Sequence, residues 1–440
     1  MIRDCFFTHH VSRKVVFYRR FFDLLQKYRL ALTIQIIAFL LLWLLPACDE
    51  GRDHRILIWT NLRPVEREFL QKKLDAFAQR YPEYEFRQLF YETEELRTNF
   101  IISALAGKGP ALIHGPSDNI GPMAELEVIK PLEEFFDQAF LDSFVTEPFE
   151  ANTWFQGHLY QIADRVGNHL CLVYNKDIID TPPRTMSELI ALGKELCRDE
   201  DGDGQPERYA LAWNFIEPFF FVPFIGGYGG WIFDEEGNPN LNSEPVIKAA
   251  RLIYQLRNVH RIIPMECDYE TANALFLDGK SAMIINGPWS WGTYLKHGMN
   301  IGLARIPMID ETGLWPRPLV SPLGYMANVN LKGKKLRIAV ELIRYLTSPE
   351  VQREFAREFN LIPSRRDVQQ DSVLQNNPLY QAALDQMRVG RAMPVITEMR
   401  WIWDAMRPAY QGIFTGQYTP EEAAAEMQKL AEKLIRENRE

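Results

Sequence analysis

The chain has 440 residues, of which 47% are hydrophobic and 24% are charged, and its formal net charge is -9. This is the composition of a globular protein long enough for two domains, and it excludes a disordered chain, a collagen and a coiled coil. The acidic balance argues against nucleic acid as a partner.

The N-terminal segment joins a basic stretch to an apolar one. Residues 1–29 carry seven Lys and Arg side chains against two Asp, whereas residues 30–48 carry no charge and are mostly apolar. This pattern predicts an export signal over residues 1–47. An uncleaved signal anchor is the alternative, because the apolar run is close to the shortest length that spans a bilayer. In both cases the basic side stays in the cytoplasm and the remainder is exported.

Residues 45–48, Leu-Pro-Ala-Cys, resemble a bacterial lipobox, in which the cysteine becomes the lipidated first residue. Pro46 departs from the usual small or hydroxyl residue. Asp49 resembles the signal that keeps Gram-negative lipoproteins at the inner membrane. We therefore expect a body tethered to the periplasmic face of the cytoplasmic membrane, either by lipid on Cys48 or by the signal anchor. An unmodified Cys48 is the alternative. The three later cysteines are unevenly spaced and indicate core thiols.

The start of the body alternates between strand and helix patterns. Residues 55–59 form an apolar run typical of a buried strand, and Pro64 begins a helical pattern. Residues 84–89 alternate like a strand, a helix is predicted from about Thr93, and residues 111–113 predict a third strand. The fold class is therefore α/β, with a parallel sheet wrapped by helices.

Helix start signals follow later in the chain. Thr185 and Thr419 each stand three residues before a glutamate, which is the spacing of a capping box. Ser348 followed by Pro349 begins another helix. The stretch 419–437 is amphipathic and is expected to pack on the surface of the body.

Aromatic side chains cluster beside turn residues in the second half of the chain. Trp289 and Trp291 follow a Gly-Pro turn, Trp401 and Trp403 repeat the spacing, and Glu217 precedes three phenylalanines across a proline. An exposed indole offers an apolar platform for the C–H face of a pyranose, while nearby polar groups bind its hydroxyls. The clusters thus predict carbohydrate recognition. Ordinary core packing is the alternative.

An acidic loop is the one candidate metal site. Asp199, Asp201 and Asp203 stand at positions 1, 3 and 5 of an EF-hand-like loop, but Ala210 replaces the glutamate of position 12. A structural calcium site completed by Glu207 is one interpretation, and a solvated acidic turn is the other. No further cofactor is expected. The sequence shows neither a P-loop nor a GxSxG elbow, so nothing in it favours an enzyme.

Three motifs carry a family resemblance: residues 173–177 (VYNKD), residues 273–289 (NALFLDGKSAM through NGPW) and residues 393–407. In this order they resemble the extracellular solute-binding proteins of ABC importers, most of all the maltose/maltodextrin-binding type. The resemblance implies a monomer that captures a saccharide, closes over it and docks on permease subunits, without catalysis. A surface glycosidase and a sugar-sensing scaffold are the alternatives.

The resemblance also implies two α/β lobes joined by crossing hinge segments, with the ligand in the cleft between them. The N-terminal lobe is predicted to comprise residues 48–166 plus 320–362. The C-terminal lobe is predicted to comprise residues 167–319 plus 363–440.

The implied ligand contacts of the C-terminal lobe are aromatic and acidic. Trp289 and Trp403 match sugar-stacking indoles, and Trp291 is expected as a neighbouring contact. Glu217 matches a cleft carboxylate, and Phe219 replaces a tyrosine. The remaining implied contacts are Asp118, Asn168, Glu94, Glu95 and Arg63.

Departures from the family pattern concentrate in the N-terminal lobe. Arg63 and Pro64 replace an Asp-Lys pair, Asn168 replaces a glutamate, and Gly115 replaces a stacking tryptophan. Arg407 matches an arginine to which the resemblance gives no role. The ligand is therefore expected to be a saccharide, either a maltodextrin or another di- or oligosaccharide.

Overall fold

The computed structural model describes residues 54–197, 199, 201–202 and 206–439. The predicted signal segment and Cys48 lie outside this range. The described residues divide into a small unit, His54 and Arg55 with Tyr81–Glu85, and a large unit, Ile56–Arg80 with the described residues from Phe86 onward. In the small unit the amide of Glu85 donates to the carbonyl of His54 at 2.8 Å. Within the described ranges, no helix has both the length and the apolarity needed to cross a bilayer.

Fourteen strands are found in the described residues. They are β1 Arg55–Thr60, β2 Glu85–Phe90, β3 Leu112–Pro116, β4 Ile129–Lys130, β5 Thr153–Phe155, β6 His158–Val166, β7 Cys171–Asn175, β8 Tyr209–Ala212, β9 Ser281–Asn286, β10 Ile301–Ala304, β11 Leu319–Val320, β12 Leu323–Asn328, β13 Ile362–Pro363 and β14 Arg391–Ala392.

Sixteen α-helices accompany them in the same part of the chain. They are α1 Pro64–Ala78, α2 Thr93–Leu105, α3 Ile120–Glu125, α4 Gln138–Leu141, α5 Met186–Leu196, α6 Val222–Gly227, α7 Glu244–Asn258, α8 Tyr269–Leu277, α9 Pro288–Lys296, α10 Gly333–Leu346, α11 Pro349–Phe359, α12 Arg366–Gln369, α13 Ser372–Gln375, α14 Pro378–Arg388, α15 Glu398–Thr415 and α16 Pro420–Arg439.

The first sheet has the strand order β13-β6-β12-β3-β1-β2, with β4 paired to β12 and β5 to β6. Strands β1 and β3 are parallel, while β12 is antiparallel to both β3 and β6. Consequently β1, β3 and β6 point the same way, and their carboxyl ends share one edge of the sheet. Trp59, Phe100 and Ile113 form part of the core between this sheet and α2.

The second sheet has the order β10-β7-β9-β8, with β8 and β9 parallel and β7 antiparallel to both of its neighbours. Helix α5 packs on β8, α8 on β9 and α14 on β10. Trp213, directly after β8, is fully buried, and its indole N–H donates to the Tyr410 hydroxyl of α15 at 2.9 Å. Helix α16 packs on α15 and α7.

The two helix-covered sheets confirm the α/β class and the two-lobe arrangement. The first sheet with its helices is the N-terminal lobe, and the second is the C-terminal lobe. Strand β6 of the first sheet ends at Val166, and β7 of the second begins at Cys171. The lobe boundaries given above stay a prediction.

The local start signals act as expected. Pro64 and Pro349 occupy the first turn of α1 and α11, where the missing proline N–H is not needed. The Thr185 hydroxyl accepts from the amide of Glu188 at 3.1 Å. At α16, Thr419 and Glu422 exchange two hydrogen bonds, so the capping box forms in full.

Candidate functional site

A cavity of about 500 Å³ lies between the two lobes, a size suited to a small ligand. On the N-terminal lobe, the residues that line the cavity lie at the shared carboxyl edge of the first sheet and include Asn61, Asp118 and Arg165. On the C-terminal lobe it is lined by residues at helix starts, including Phe219 and Trp289. Carboxyl edges of this kind are the usual ligand sites of open α/β sheets.

Three aromatic rings form one wall of the cavity. The Phe219 ring lies 6.2 Å from the Trp289 ring and 6.4 Å from the Trp403 ring, measured between centroids. Phe219 and Trp289 are half-buried, and Trp403 is 6% exposed although it lines the cavity. Pro218 and Pro288 begin the short helices that carry Phe219 and Trp289, which fixes both rings at the cavity. This wall suits the apolar face of a sugar ring.

A carboxylate stands beside the aromatic wall and is held by an arginine. The Arg407 guanidinium donates from Nη2 and Nε to the two Glu217 oxygens, at 3.0 and 3.3 Å, and from Nη1 to Asp404 at 3.0 Å. Two parallel bonds of this kind orient a carboxylate strongly. Arg407 thus gains the role that the sequence did not supply, because it fixes Glu217 at the cavity wall.

Asp118 follows β3 on the opposite wall. The indole of Trp403, from the other lobe, reaches this carboxyl group and acts to lower its pKa. Burial raises the pKa of the Asp118 carboxyl above its usual value, although Arg97 acts in the other direction. Oxygen Oδ1 is shielded from solvent and has no hydrogen-bond partner among the described residues.

Glu94 makes a second contact between the lobes. Its Oε2 accepts from Arg97 on its own helix α2 and from Arg400 on α15. Arg400 is also paired with Asp404, at 3.1 Å. One carboxylate oxygen is therefore shared between two guanidinium groups, and this pairing ties α2 to α15.

Arg63 and Asn168 line the cavity near its rim. The Arg63 guanidinium lies 3.2 Å from a Glu92 oxygen and 4.6 Å above the centre of the Tyr269 ring, on the C-terminal lobe. The side-chain amide of Asn168 donates to the Ser321 hydroxyl at 3.2 Å. Both side chains are thus already engaged with protein groups.

Two expected contacts are not at the cavity, and the sequence prediction for them is corrected. Trp291 is fully buried in the C-terminal lobe, where its ring lies edge-on to His169 at 6.5 Å. Residues 289 and 291 both belong to α9, and positions two apart point to opposite sides of a helix. Glu95 is exposed and does not line the cavity, unlike its neighbour Glu94.

The structure adds cavity residues that the sequence interpretation missed. They include Asn61, Arg165 and Tyr269. Asn61 follows β1, so a signal was present for it, since it stands at the carboxyl end of a predicted strand. Arg165 is the next-to-last residue of β6, a strand that the sequence analysis did not predict. Tyr269 gave no comparable signal.

The acidic loop lies apart from the cavity. Carboxylate oxygens of Asp199, Asp201 and Glu207 come within 4.8 Å of one another, and all three residues are exposed. Asp203 lies outside the described residues. The calcium site stays a prediction.

Comparisons with known proteins agree on one family. The model for bacterial extracellular solute-binding proteins matches residues 72–382. The solved maltose/maltodextrin-binding domain MalE from Bdellovibrio bacteriovorus, bound to maltotriose, is 43% identical, covers 87% of this chain and 100% of its own, and superposes with a TM-score of 0.83.

Two curated relatives are more distant. The maltotriose-binding protein of Pyrococcus abyssi is 27% identical over 372 residues, which are 83% of this chain and 78% of that protein. The galactooligosaccharide-binding protein of Bacillus subtilis is 26% identical over 350 residues, which are 75% of this chain and 78% of that protein. The family match spans more than half of the chain, so this protein belongs to the bacterial extracellular solute-binding proteins.

Proposed function

We propose that this protein captures a malto-oligosaccharide in the cleft between its lobes and delivers it to the permease subunits of an ABC importer. The observation that carries the proposal is the wall of three rings, Trp289, Phe219 and Trp403, facing hydrogen-bonding groups across a cavity of about 500 Å³. Apolar platforms opposite polar groups match the two kinds of surface that a sugar ring presents. The relatives named for maltotriose support this choice of ligand.

The two walls divide the recognition between them. On the C-terminal lobe the rings stack on the sugar, and Glu217, held by Arg407, accepts hydrogen bonds from sugar hydroxyls. On the N-terminal lobe Gly115 presents no ring, so Asp118, Arg63 and polar neighbours act through hydrogen bonds. Glu94 and Asn168 complete the proposed set of contacts.

Binding is coupled to closure of the proposed lobes, residues 48–166 plus 320–362 and residues 167–319 plus 363–440. A ligand that touches both lobes favours the closed state by its higher affinity for that state. The closed monomer then docks on the permease. The family consists of solute-binding proteins, not enzymes, and we infer that the cleft performs no chemistry on its ligand.

Titration calorimetry tests which saccharide the protein binds. Maltotriose is expected to bind saturably with a micromolar dissociation constant, and a β-galacto-oligosaccharide of equal length more weakly. Tighter binding of the galacto-oligosaccharide would reassign the ligand. Binding of neither sugar would contradict saccharide capture. Chromatography of the sugar after incubation checks for hydrolysis, and any product formed would favour a glycosidase instead.

The tether and the metal need separate measurements. Mass spectrometry of the membrane-extracted protein is expected to show a lipid-modified N-terminal Cys48. An intact arginine-rich tail would instead establish the signal anchor and favour the sugar-sensing scaffold.

Calcium titration of the protein without its N-terminal segment tests the acidic loop that contains Asp199. An unchanged thermal stability at millimolar calcium would show that the loop is a solvated acidic turn.

A further inference from the structure

Three polar residues meet at the carboxyl edge of the first sheet. Strands β1, β3 and β6 run in the same direction, and Leu323 of β12 pairs with both Pro116 of β3 and Arg165 of β6. Asn61 follows β1, Asp118 follows β3, and Arg165 is the next-to-last residue of β6. All three line the cavity.

Each of these residues carries a polar atom that lacks a partner. Asn61 Oδ1, Asp118 Oδ1 and Arg165 Nη2 are shielded from solvent and make no hydrogen bond within the described ranges. Polar groups that fold away from water are normally paired, and leaving one unpaired is unfavourable. Three such atoms at one wall of a ligand cavity indicate groups that the ligand satisfies.

Arg165 is the most constrained of the three. Its side chain is only 5% exposed, and its guanidinium packs 4.4 Å from the centre of the Phe355 ring. Nη1 lies 2.5 Å from a Glu66 oxygen, and Nε lies 3.1 Å from an Asp164 oxygen. Two of its donor nitrogens are therefore fixed by protein carboxylates, and only Nη2 is left for a further acceptor.

The charge of Arg165 is already balanced. Burial alone would raise the pKa of the Asp164 carboxyl, but Arg165 and His114 outweigh it and lower that pKa to about 2. Seven carboxylates and three guanidinium groups line the cavity, so an additional anion would meet net repulsion. The acceptor for Nη2 must then be an uncharged oxygen.

We propose that Arg165 is a specificity-determining residue of the cleft, whose Nη2 donates to a hydroxyl oxygen of a neutral saccharide while Asn61 accepts from a neighbouring hydroxyl. This inference rests on the proposed function and narrows its ligand class. Sugars that carry a carboxylate or a phosphate at this end are rejected, because the wall already holds its own anions. The wall thereby replaces the stacking ring that Gly115 cannot supply.

The test is titration calorimetry with maltotriose on two variants. Arg165→Lys keeps the charge beside Glu66 but cannot place a second donor at Nη2, and it is expected to weaken binding at least about tenfold. Asn61→Ala lies outside the buried ion pairs, so it remains informative if Arg165→Lys folds poorly. It is expected to weaken binding about fivefold.

Arg257→Lys is the matched control. Arg257 is also a buried arginine, 7% exposed, but it donates to the Met265 carbonyl and does not line the cavity. Both Arg165→Lys and Arg257→Lys are expected to lower Tm, because each alters a buried arginine. Only Arg257→Lys is expected to leave the dissociation constant for maltotriose unchanged. A merely structural role for Arg165 would make the two arginine variants behave alike in both measurements.

The outcomes separate the two proposals. Wild type that binds maltotriose while Arg165→Lys and Asn61→Ala keep its affinity would overturn this inference alone. Wild type that binds no saccharide would overturn the proposed function and this inference with it. A maltotriose analogue with a terminal uronate is expected to bind at least about tenfold more weakly to the wild type, and tighter binding of the uronate would overturn the neutral class.

Discussion

Trp289 and Trp291 stand two residues apart and have opposite surroundings. Trp289 is half-buried at the cavity, whereas Trp291 is fully buried in the C-terminal lobe. Trp289→Ala should weaken maltotriose binding by about 1.5–3 kcal/mol, or roughly tenfold to a hundredfold, because a stacking surface is lost. Calorimetry measures the affinity, and an unchanged thermal transition shows that the fold is kept.

Trp231→Ala is the control for this variant, because Trp231 is partly exposed, packs against Arg391 at 3.9 Å and does not line the cavity. It should bind maltotriose like the wild type. If Trp289→Ala and Trp231→Ala bind equally well, the aromatic wall is not a stacking surface.

Trp291→Ala should destabilise the protein by about 3–5 kcal/mol, because it leaves a large cavity in the core. Urea unfolding measures this free energy. A variant of wild-type stability with weakened sugar binding would show that the indole reaches the ligand after all, which contradicts its burial.

The buried carboxyl of Asp118 is expected to lower the stability of the fold while it contributes to ligand binding. Burial raises its pKa in the folded state above the unfolded value, so folding favours the protonated carboxyl and ionisation of Asp118 lowers the stability of the fold. Stability from this group is therefore greatest at low pH and is lost as the pH rises through the raised pKa. Asp118→Asn should have an equal or higher Tm than wild type at pH 7, with the difference shrinking toward acidic pH.

The same Asp118→Asn variant should bind maltotriose about tenfold more weakly, since one acceptor oxygen of the carboxyl becomes an N–H donor. Paired thermal-shift and calorimetry series over pH 4 to 8 check both effects. A lower Tm at pH 7 together with unchanged affinity would show that the carboxylate serves the fold alone.

At the residue scale, sequence reasoning found the aromatic half of the cleft more readily than the polar half. Trp289, Trp403 and Glu217 stand in local motifs, so short stretches of sequence were enough to single them out. Arg165 depends on Glu66, which is 99 residues away in the chain, and no local pattern links the two. Asn61 likewise gains its importance only from the strand edge that it shares with Asp118.

At the element scale, local signals placed the helices well. Prolines at 64, 288 and 349 each occupy the first turn of a helix, and Thr419 caps α16 as its spacing indicated. The stretch after Gly287 is helical rather than a loop, which is why the indoles at 289 and 291 point in opposite directions. An expectation of two exposed indoles neglected that periodicity.

Helices α2 and α15 carry the charged contact between the lobes. Arg400→Gln removes the Arg400 contact to Glu94 and leaves Arg97 in place. Both partners are partly exposed, so the loss is expected to be modest, about 0.5–1 kcal/mol or twofold to fivefold in maltotriose affinity. Salt should weaken maltotriose binding to the wild type more than to the variant, because ions screen the Arg400–Glu94 pair, which only the wild type has.

Arg353→Gln controls for the loss of an arginine, since Arg353 pairs with Asp371 at 3.3 Å away from the cavity. Calorimetry at 20 and 500 mM NaCl compares all three proteins. Equal salt dependence in the wild type and Arg400→Gln would show that this pair does not contribute to closure.

For the whole molecule, the contacts between the lobes describe a closed state. Arg400 donates to Glu94, the Arg63 guanidinium lies over Tyr269, and the Trp403 indole reaches the Asp118 carboxyl. Each contact joins one lobe to the other, and in an open cleft all of them are lost together. In this closed arrangement, polar atoms such as Arg165 Nη2 have no hydrogen-bond partner among the described residues. A ligand that satisfies these atoms therefore supplies the free energy that favours closure.

Maltotriose should accordingly reduce the radius of gyration of the wild type in small-angle X-ray scattering. At one hundred times the dissociation constant it should also add about 2.7 kcal/mol to the free energy of unfolding. Arg400→Gln should remain more extended than the wild type at intermediate sugar concentrations and reach the same radius at saturation, because its cleft lacks one closing contact but keeps its ligand groups. A gain in stability without any change of radius would mean that the sugar binds to one lobe alone, and that hinge closure is not part of capture.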